Sequence, residues 1–422
     1  MVYLNDDEKR MLNGEEGPAV QKAMGLLVKM AEANGVERMV DVTHAHILSL
    51  EAADVLFEVT SGMLKDAKAK IPTTTNAVAL NSVERARQMG VPEDIIDAQW
   101  PGICRLKELH SQAGLIPSYT CHPHSHMDLK MGEHVAFTEF NVAPFANTWF
   151  GVRTNLQGQT DTLASAITGK APECGLHLTE NRWGKVLIEI DKKFKAQDFD
   201  SAFYGALGYW AGQICVDRIP VFVGLPENMT YRAVEYLCVA PLIRGSVGML
   251  HVVGVTPEAP TLEAAFGGKR PEEKVVFGKR ELQAVYEELN TATKSEVDMV
   301  CLGCPHCSLQ ELITIARLLE GKKVAKGVRL WVATSEINYM LAQRMGLIDY
   351  IEGAGGFVNS GICAGTGFLL RFADSLGVKV VANNGLTLTG LVTKGTRGKV
   401  GVCFGSIERC VNAALTGKWE KN

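Results

Sequence analysis

SYTCHPHSHMDLKMGEHVAFTEFNVAPFANTWFGVRTN, residues 118–155, sets a cysteine, four histidines, two glutamates and an arginine between short apolar patches. A segment that only joins two elements has little use for so many polar groups. Two later stretches answer it: LGCPHCSLQE at 302–311 and NSGICAGTG at 359–367. In each of the three, a short apolar run leads into a loop bearing cysteine or asparagine, and in open α/β folds ligands gather at such strand ends.

Outward from these stretches the chain alternates strand-like and helix-like segments. Asn5 with Glu8 reads as a capping box opening a helix over 5–16, and 17–34 continues with helical periodicity. RMVDVTHAHI (38–47) reads as one strand, with a helix after it capped by Ser49. IPTTTN (71–76) ends a strand in a hydroxyl-rich loop, and helices are expected over 82–89 and 92–99. KVLIEID, a helix over 199–214 and IPVFVGL repeat the rhythm. Residues 236–255 are apolar but interrupted by Pro241, Arg244 and glycines, which argues for a buried strand or strand–turn–strand rather than a membrane span. The stretch 257–274, rich in Pro, Glu, Gly and Lys, reads as a surface connection. Helices follow over 279–293, 309–320, 335–345 and 367–376, with strands over 299–302, 329–333, 350–352 and 378–382. The pattern predicts an α/β protein, divided into a first α/β part at 1–160, a middle part at 161–278 and a C-terminal α/β part at 279–422.

The composition bounds the function. With 422 residues, 46% hydrophobic and 21% charged, the chain has material for a large core and little for disorder. A net charge of −4 gives no basic footprint for nucleic acid. The start MVYLNDDEKRML lacks the layout of a signal peptide, so a cytoplasmic location is expected. The eleven cysteines are odd in number and irregular in spacing, which favours metal binding or buried thiols over disulfides.

Cys301, Cys304 and Cys307 form a doubled CxxC, a spacing that suits zinc or a cluster. The plain alternative is a strand cysteine and a helix cysteine packed in the core. Cys121 with His122, His124 and His126 is a second metal-like run. Cys363 lies in a glycine-rich loop that is either a ligand loop or a turn before a helix. Asn76, Asn141, Asn147, Asn155 and Arg153 are groups that orient a small polar substrate or bond their own loops, and a guanidinium fork suits a carboxylate.

These residues resemble the aconitase X family over nearly the whole chain. The strongest match is GEHVAFTEFNVAPFANTWFGVRTN (132–155). PTTTN (72–76), YTC (119–121), GCPH (303–306), ATS (333–335), SGICAG (360–365) and FGSIERCVNAALTGKW (404–419) extend it. The resemblance implies an aconitase-like fold, several α/β subdomains around a central iron–sulfur cleft, without the swivelling domain. It implies Cys121, Cys304 and Cys363 as ligands of a 4Fe-4S, 3Fe-4S or 2Fe-2S cluster, a single metal ion being the alternative. Substrate contacts carry over to Ile47, Leu48, Ser49, Asn76, Ala77, Glu139 and Phe140.

The implied reaction is dehydration of a small hydroxy acid, with cis-3-hydroxy-L-proline and 5-phosphomevalonate as the family's substrates. Glu139 or His124 is expected as acid or base. Arg153, Asn76 and Asn147 are expected to steady the developing carboxylate charge. The family's swivelling domain, which carries a serine in aconitases, points to a small subunit as partner. This sequence departs from the pattern in places. Phe140 replaces a serine, TCHP (120–123) replaces TCTP, and His124 stands near the usual tyrosine. ANNGLT (382–387) lacks the lysine that would hold an anion, which favours cis-3-hydroxy-L-proline. The rivals are a zinc hydrolase built on Cys121 and the histidine run, and a cluster-based sensor or binding protein without dehydratase activity.

Overall fold

The computed structural model describes residues 2–49, 55–364 and 376–420. Among these residues, three all-parallel sheets carry the architecture. The first has strand Ala45–Ile47 between Thr73–Thr75 and Ala136–Phe137. The second orders His251–Val252, Pro220–Val223, Val186–Ile190 and Glu273–Phe277. The third orders Gly356–Ser360, Arg329–Thr334, Met299–Cys307, Val380–Asn383 and Gly401–Phe404. A small antiparallel pair, Met39–Asp41 with Lys170–Pro172, stands apart.

Parallel strands covered by helices on both faces are buried throughout and read as continuous apolar runs. Met299–Cys307 obeys this, with every position buried. From that strand the third sheet grows first to one side, through Arg329–Thr334 to Gly356–Ser360. It then grows to the other side, through Val380–Asn383 to Gly401–Phe404. The direction reverses between Met299–Cys307 and Val380–Asn383, so a crevice opens past the carboxyl ends of these two strands.

Several expected elements form as the local chemistry dictates. Asn5 and Glu8 make the reciprocal capping box that starts helix Asp6–Asn13. Ser308 and Glu311 do the same for Leu309–Leu318, and Ser82 caps Val83–Gln88.

Three expectations are corrected. Residues 38–47 form two strands in different sheets, because the chain turns at 42–44. Residues 350–352 are helical within Leu347–Gly353, and the neighbouring strand is Gly356–Ser360. The apolar run after 236 lies mostly in helix Tyr231–Arg244, with strand His251–Val252 beyond it. That helix is packed against Ser201–Cys215 and is apolar nearly all round, so no face-to-face period marks it as helical. The helix expected after Ser49 is described only as Val55–Leu64; 50–54 lie outside the described residues, as does nearly all of the helix expected over 367–376. No helix among the described residues is long and apolar enough to cross a membrane.

Candidate active site

The carboxyl ends of the first and third sheets supply one set of side chains. On the first sheet, Ile47 ends one strand and Leu48 and Ser49 follow it, Asn76 and Ala77 follow the next, and Glu139 and Phe140 the third. They are tied to each other locally. The Gln159 amide donates to the Leu48 carbonyl at 3.0 Å and accepts from its N–H at 2.8 Å. The Ser49 hydroxyl donates to the Asn76 carbonyl. Asn76 accepts the Ala77 N–H at 2.8 Å.

On the third sheet, Cys304 lies in the crevice end of Met299–Cys307, and Cys363 follows Gly356–Ser360. Cys121 arrives from the loop after Thr120, whose hydroxyl meets the His306 ring at 3.0 Å. Residues Val78 and Ile362 bridge the two halves, with the Cys363 N–H donating to the Val78 carbonyl at 3.0 Å. Cys304 and Cys363 are close enough to Cys121, and Cys363 to Cys304, for their charges to raise the cost of ionising those thiols. Burial is the larger cause, and it pushes the Cys121 and Cys304 thiols well up.

Two backbone N–H groups work against that burial. His306 N–H points at Cys121 Sγ, 3.3 Å between heavy atoms. Leu388 N–H, in the first turn of helix Leu386–Gly395, bonds Cys304. Donors of this kind, with a helix N-terminus, favour thiolate. Thiols that are costly to ionise in isolation and yet face N–H donors form a donor set suited to a soft metal centre, which deprotonates its thiol ligands outright.

Close approach makes the loop possible. Gly385 lies against Cys304, where a Cβ would overlap the Cys304 backbone. Gly303 takes φ +100°, a conformation that favours glycine. Cys301 and Cys307 flank Cys304 in the sequence and are packed into two different core clusters.

Glu139 is buried beside the cysteines, 6% exposed. Burial, reinforced by the Glu235 charge, raises its carboxyl to about 8, although the Asn141 N–H donates to it at 2.6 Å. The Asn141 side chain in turn accepts from Thr387 at 3.4 Å. Phe140 next to it is 51% exposed.

The histidine run divides. His122 Nδ1 meets Glu235 Oε1 at 2.9 Å, and His124 Nε2 lies 3.5 Å from the same oxygen. His126 stays near the surface beside Ser125. Glu235 is fully buried and its other oxygen binds Arg232, which also binds Glu311 at 2.8 Å. Tyr236 donates to Glu311 at 2.7 Å and accepts from Asn384 at 2.9 Å.

Arg153 and Asn147 are placed elsewhere. Arg153 pairs with His134 in the chain leading into Ala136–Phe137, before that strand rather than after it. Its guanidinium donates to the His177 carbonyl at 2.8 Å and the Thr179 hydroxyl at 2.9 Å. Asn147 is occupied by Thr154, Gly248 and the buried Arg182. Sequence reading missed Glu235, Arg232, Glu311 and Tyr236. Their signal is a charged pair and a tyrosine inside an apolar helix, and a capping Glu311 that also carries buried charge.

Comparison with known proteins places the chain in a family. Family models of the aconitase X first, second and third domains match residues 1–180, 184–287 and 297–416. The phosphomevalonate dehydratase large subunit of Methanothermobacter thermautotrophicus is 36% identical over 86% of this chain and 88% of its own. The cis-3-hydroxy-L-proline dehydratase of Pseudomonas aeruginosa is 32% identical over 97% of this chain and 70% of its own. The crystal structure of Thermococcus kodakaraensis aconitase X in its holo-form superposes with a TM-score of 0.83 at 28% identity, covering 98% of this chain and 100% of that one. Both named enzymes are dehydratases, and therefore hydro-lyases. The chain belongs to the aconitase X family.

Proposed function

We propose that this hydro-lyase removes water from a small hydroxy acid, with cis-3-hydroxy-L-proline or a close relative as substrate. The observation that carries the reading is the meeting of Cys121, Cys304 and Cys363 with the buried Glu139 at the carboxyl ends of two sheets. The three cysteines are the residues that would hold an iron–sulfur cluster. Bound by three thiolates, such a cluster supplies Lewis acidity toward a leaving hydroxyl.

The chain's own residues do the rest. Glu139, with its carboxyl raised to about 8, takes the proton from the carbon next to the substrate carboxylate and returns it in the reverse direction. Ile47 to Ser49, Asn76, Ala77 and Phe140 form the rim around it. Arg153 and Asn147 hold the neighbouring framework instead of the substrate.

The substrate preference rests on charge. Thr387 stands in the segment where an anion-holding lysine was expected, and its hydroxyl contacts Asn141. Arg232 is shared by two carboxylates. A phosphate that the segment 382–387 leaves without a lysine would be desolvated at a loss. The second reading, 5-phosphomevalonate, is favoured by relatives named as large subunits, including one at 33% identity over 91% of this chain and 93% of its own. Those names also support a small-subunit partner, for which the exposed Phe140 is a natural contact.

A side-by-side dehydration assay decides between the substrates. It uses cluster-loaded protein with and without the small subunit. Turnover of cis-3-hydroxy-L-proline is expected. Turnover of 5-phosphomevalonate alone would replace the first reading by the second.

A further inference from the structure

Among the described residues, one set of three metal-ligating side chains lies within reach of a single ion. One atom each of His122, His124 and Glu235 lies within 4.8 Å of the other two, and all three residues are buried. We propose that His122, His124 and Glu235 bind a divalent transition-metal cation of the zinc or ferrous kind, separate from the group held by Cys121, Cys304 and Cys363.

The spacing fits. Glu235 Oε1 is 2.9 Å from His122 Nδ1 and 3.5 Å from His124 Nε2. Ligands at zinc bond lengths in a tetrahedron lie about 3.3 Å apart, a value between those two distances. Two imidazoles and one carboxylate are also the ligand set of several zinc and ferrous sites, and they leave a position for water or a substrate oxygen.

The unmet bonding capacity fits as well. His124 is 6% exposed, and neither of its ring nitrogens makes a hydrogen bond. Its Nε2 stands 3.5 Å from Glu235 Oε1, longer than a well-formed hydrogen bond. Buried ring nitrogens are ordinarily satisfied, so this one is aimed at a partner.

Charge points the same way. Glu235 and Glu311 share the single guanidinium of Arg232, and Glu235 is wholly buried. Two carboxylates on one cation leave a buried negative charge, which a bound cation between the imidazoles would neutralise. Arg232 fixes the second Glu235 oxygen, so the first is oriented toward the histidines.

The surroundings hold the rings in place. His122 stacks on Tyr231 with centroids 5.8 Å apart, and His124 packs on Phe145 at 4.6 Å and Phe150 at 6.1 Å. Tyr231 is 39% exposed, so the stack forms an approach from solvent. No spacing rule reveals the site, since Glu235 comes 113 residues after His122.

The test uses full-length protein purified anaerobically with whatever cluster it carries. It is equilibrated with zinc sulfate and desalted, and zinc, iron and acid-labile sulfide are counted. Crystals from the same sample are imaged by anomalous scattering on both sides of the zinc edge. The expected result is about one zinc per chain beyond the sulfide-associated iron, with its peak among His122, His124 and Glu235. His124→Gln and Glu235→Gln should each weaken zinc retention about tenfold or more. No retained zinc, a peak at the cysteines instead, or retention unchanged in a folded His124→Gln variant overturns the proposal. If either variant fails to fold, the count and the peak of the unmodified protein still decide. Iron and sulfide report the cluster independently, so loss of that reading leaves this one standing, and the reverse.

Discussion

Glu139 and the three cysteines are where single atoms matter most. Glu139→Gln keeps the shape and removes the proposed proton acceptor, so kcat should fall roughly 10²–10⁴-fold while the fold persists. Steady-state turnover with circular dichroism checks this, and near-normal turnover would assign the proton to another group. Replacing Cys121, Cys304 or Cys363 by Ser should abolish most visible absorbance of the reconstituted protein. Cys301→Ala and Cys307→Ala should instead keep the absorbance and lose about 1–3 kcal/mol of stability, since both lie in core clusters. Equal bleaching at Cys304 and Cys307 would reverse that ranking. At this scale the sequence was informative wherever function concentrates unusual residues in a short stretch, as in 118–126 and 301–307. It was silent on Glu235 and Arg232, because their meaning depends on partners brought in from distant segments.

Helix Leu386–Gly395 shows how an element serves the site. It starts at the reversal point of the third sheet, and its first turn donates to Cys304. Gly385 at its head has no room for a side chain, whereas Gly390 would place a Cβ at an ordinary 3.5 Å from Ile243. Gly385→Ala should therefore lower both stability and cluster uptake. Gly390→Ala should leave uptake intact and gain up to about 1 kcal/mol from helix propensity. Urea titration and iron analysis of the two variants test the contrast, and equal behaviour would remove the packing argument. Elements with caps and punctuation were legible, among them Asp6–Asn13 and Leu309–Leu318. Residues 350–352 and the run after 236 misled because short or uniformly apolar segments carry no period to separate strand from helix.

The whole molecule buries several histidines in neutral form. Burial lowers His46 and His177 to about 3 and His110 to about 4. In the unfolded chain each takes a proton near pH 6.5, and the native state cannot follow. Their contribution is present above that pH and is lost as pH falls toward 4, at up to ~1.4 kcal/mol per pH unit for each. Glu139 acts in the opposite sense, its share being lost as pH rises through about 8. The histidines outnumber it, so the urea midpoint should fall between pH 7 and pH 5. His110→Phe keeps a ring stacked on Tyr119 and should flatten that slope. A midpoint independent of pH over this range would contradict the neutral assignment. The α/β class and the family were legible from the sequence. The meeting of the three cysteine stretches was expected from the resemblance, but which two sheets turn their carboxyl ends toward it was not legible, because that depends on how distant segments pack.

The cysteines proposed as ligands stand at positions 121, 304 and 363, and this order matters on the ribosome. Every strand of the first sheet has been made by residue 137, so the Cys121 loop can take shape early. The strand carrying Cys304 is synthesised much later, and at roughly 5–20 residues per second the wait is on the order of ten seconds or more. During that interval the Cys121 thiol lacks the strands that bury it and is open to oxidants and stray metals. A centre that needs all three thiols can be completed only after residue 363 has been made, when the polypeptide is almost finished.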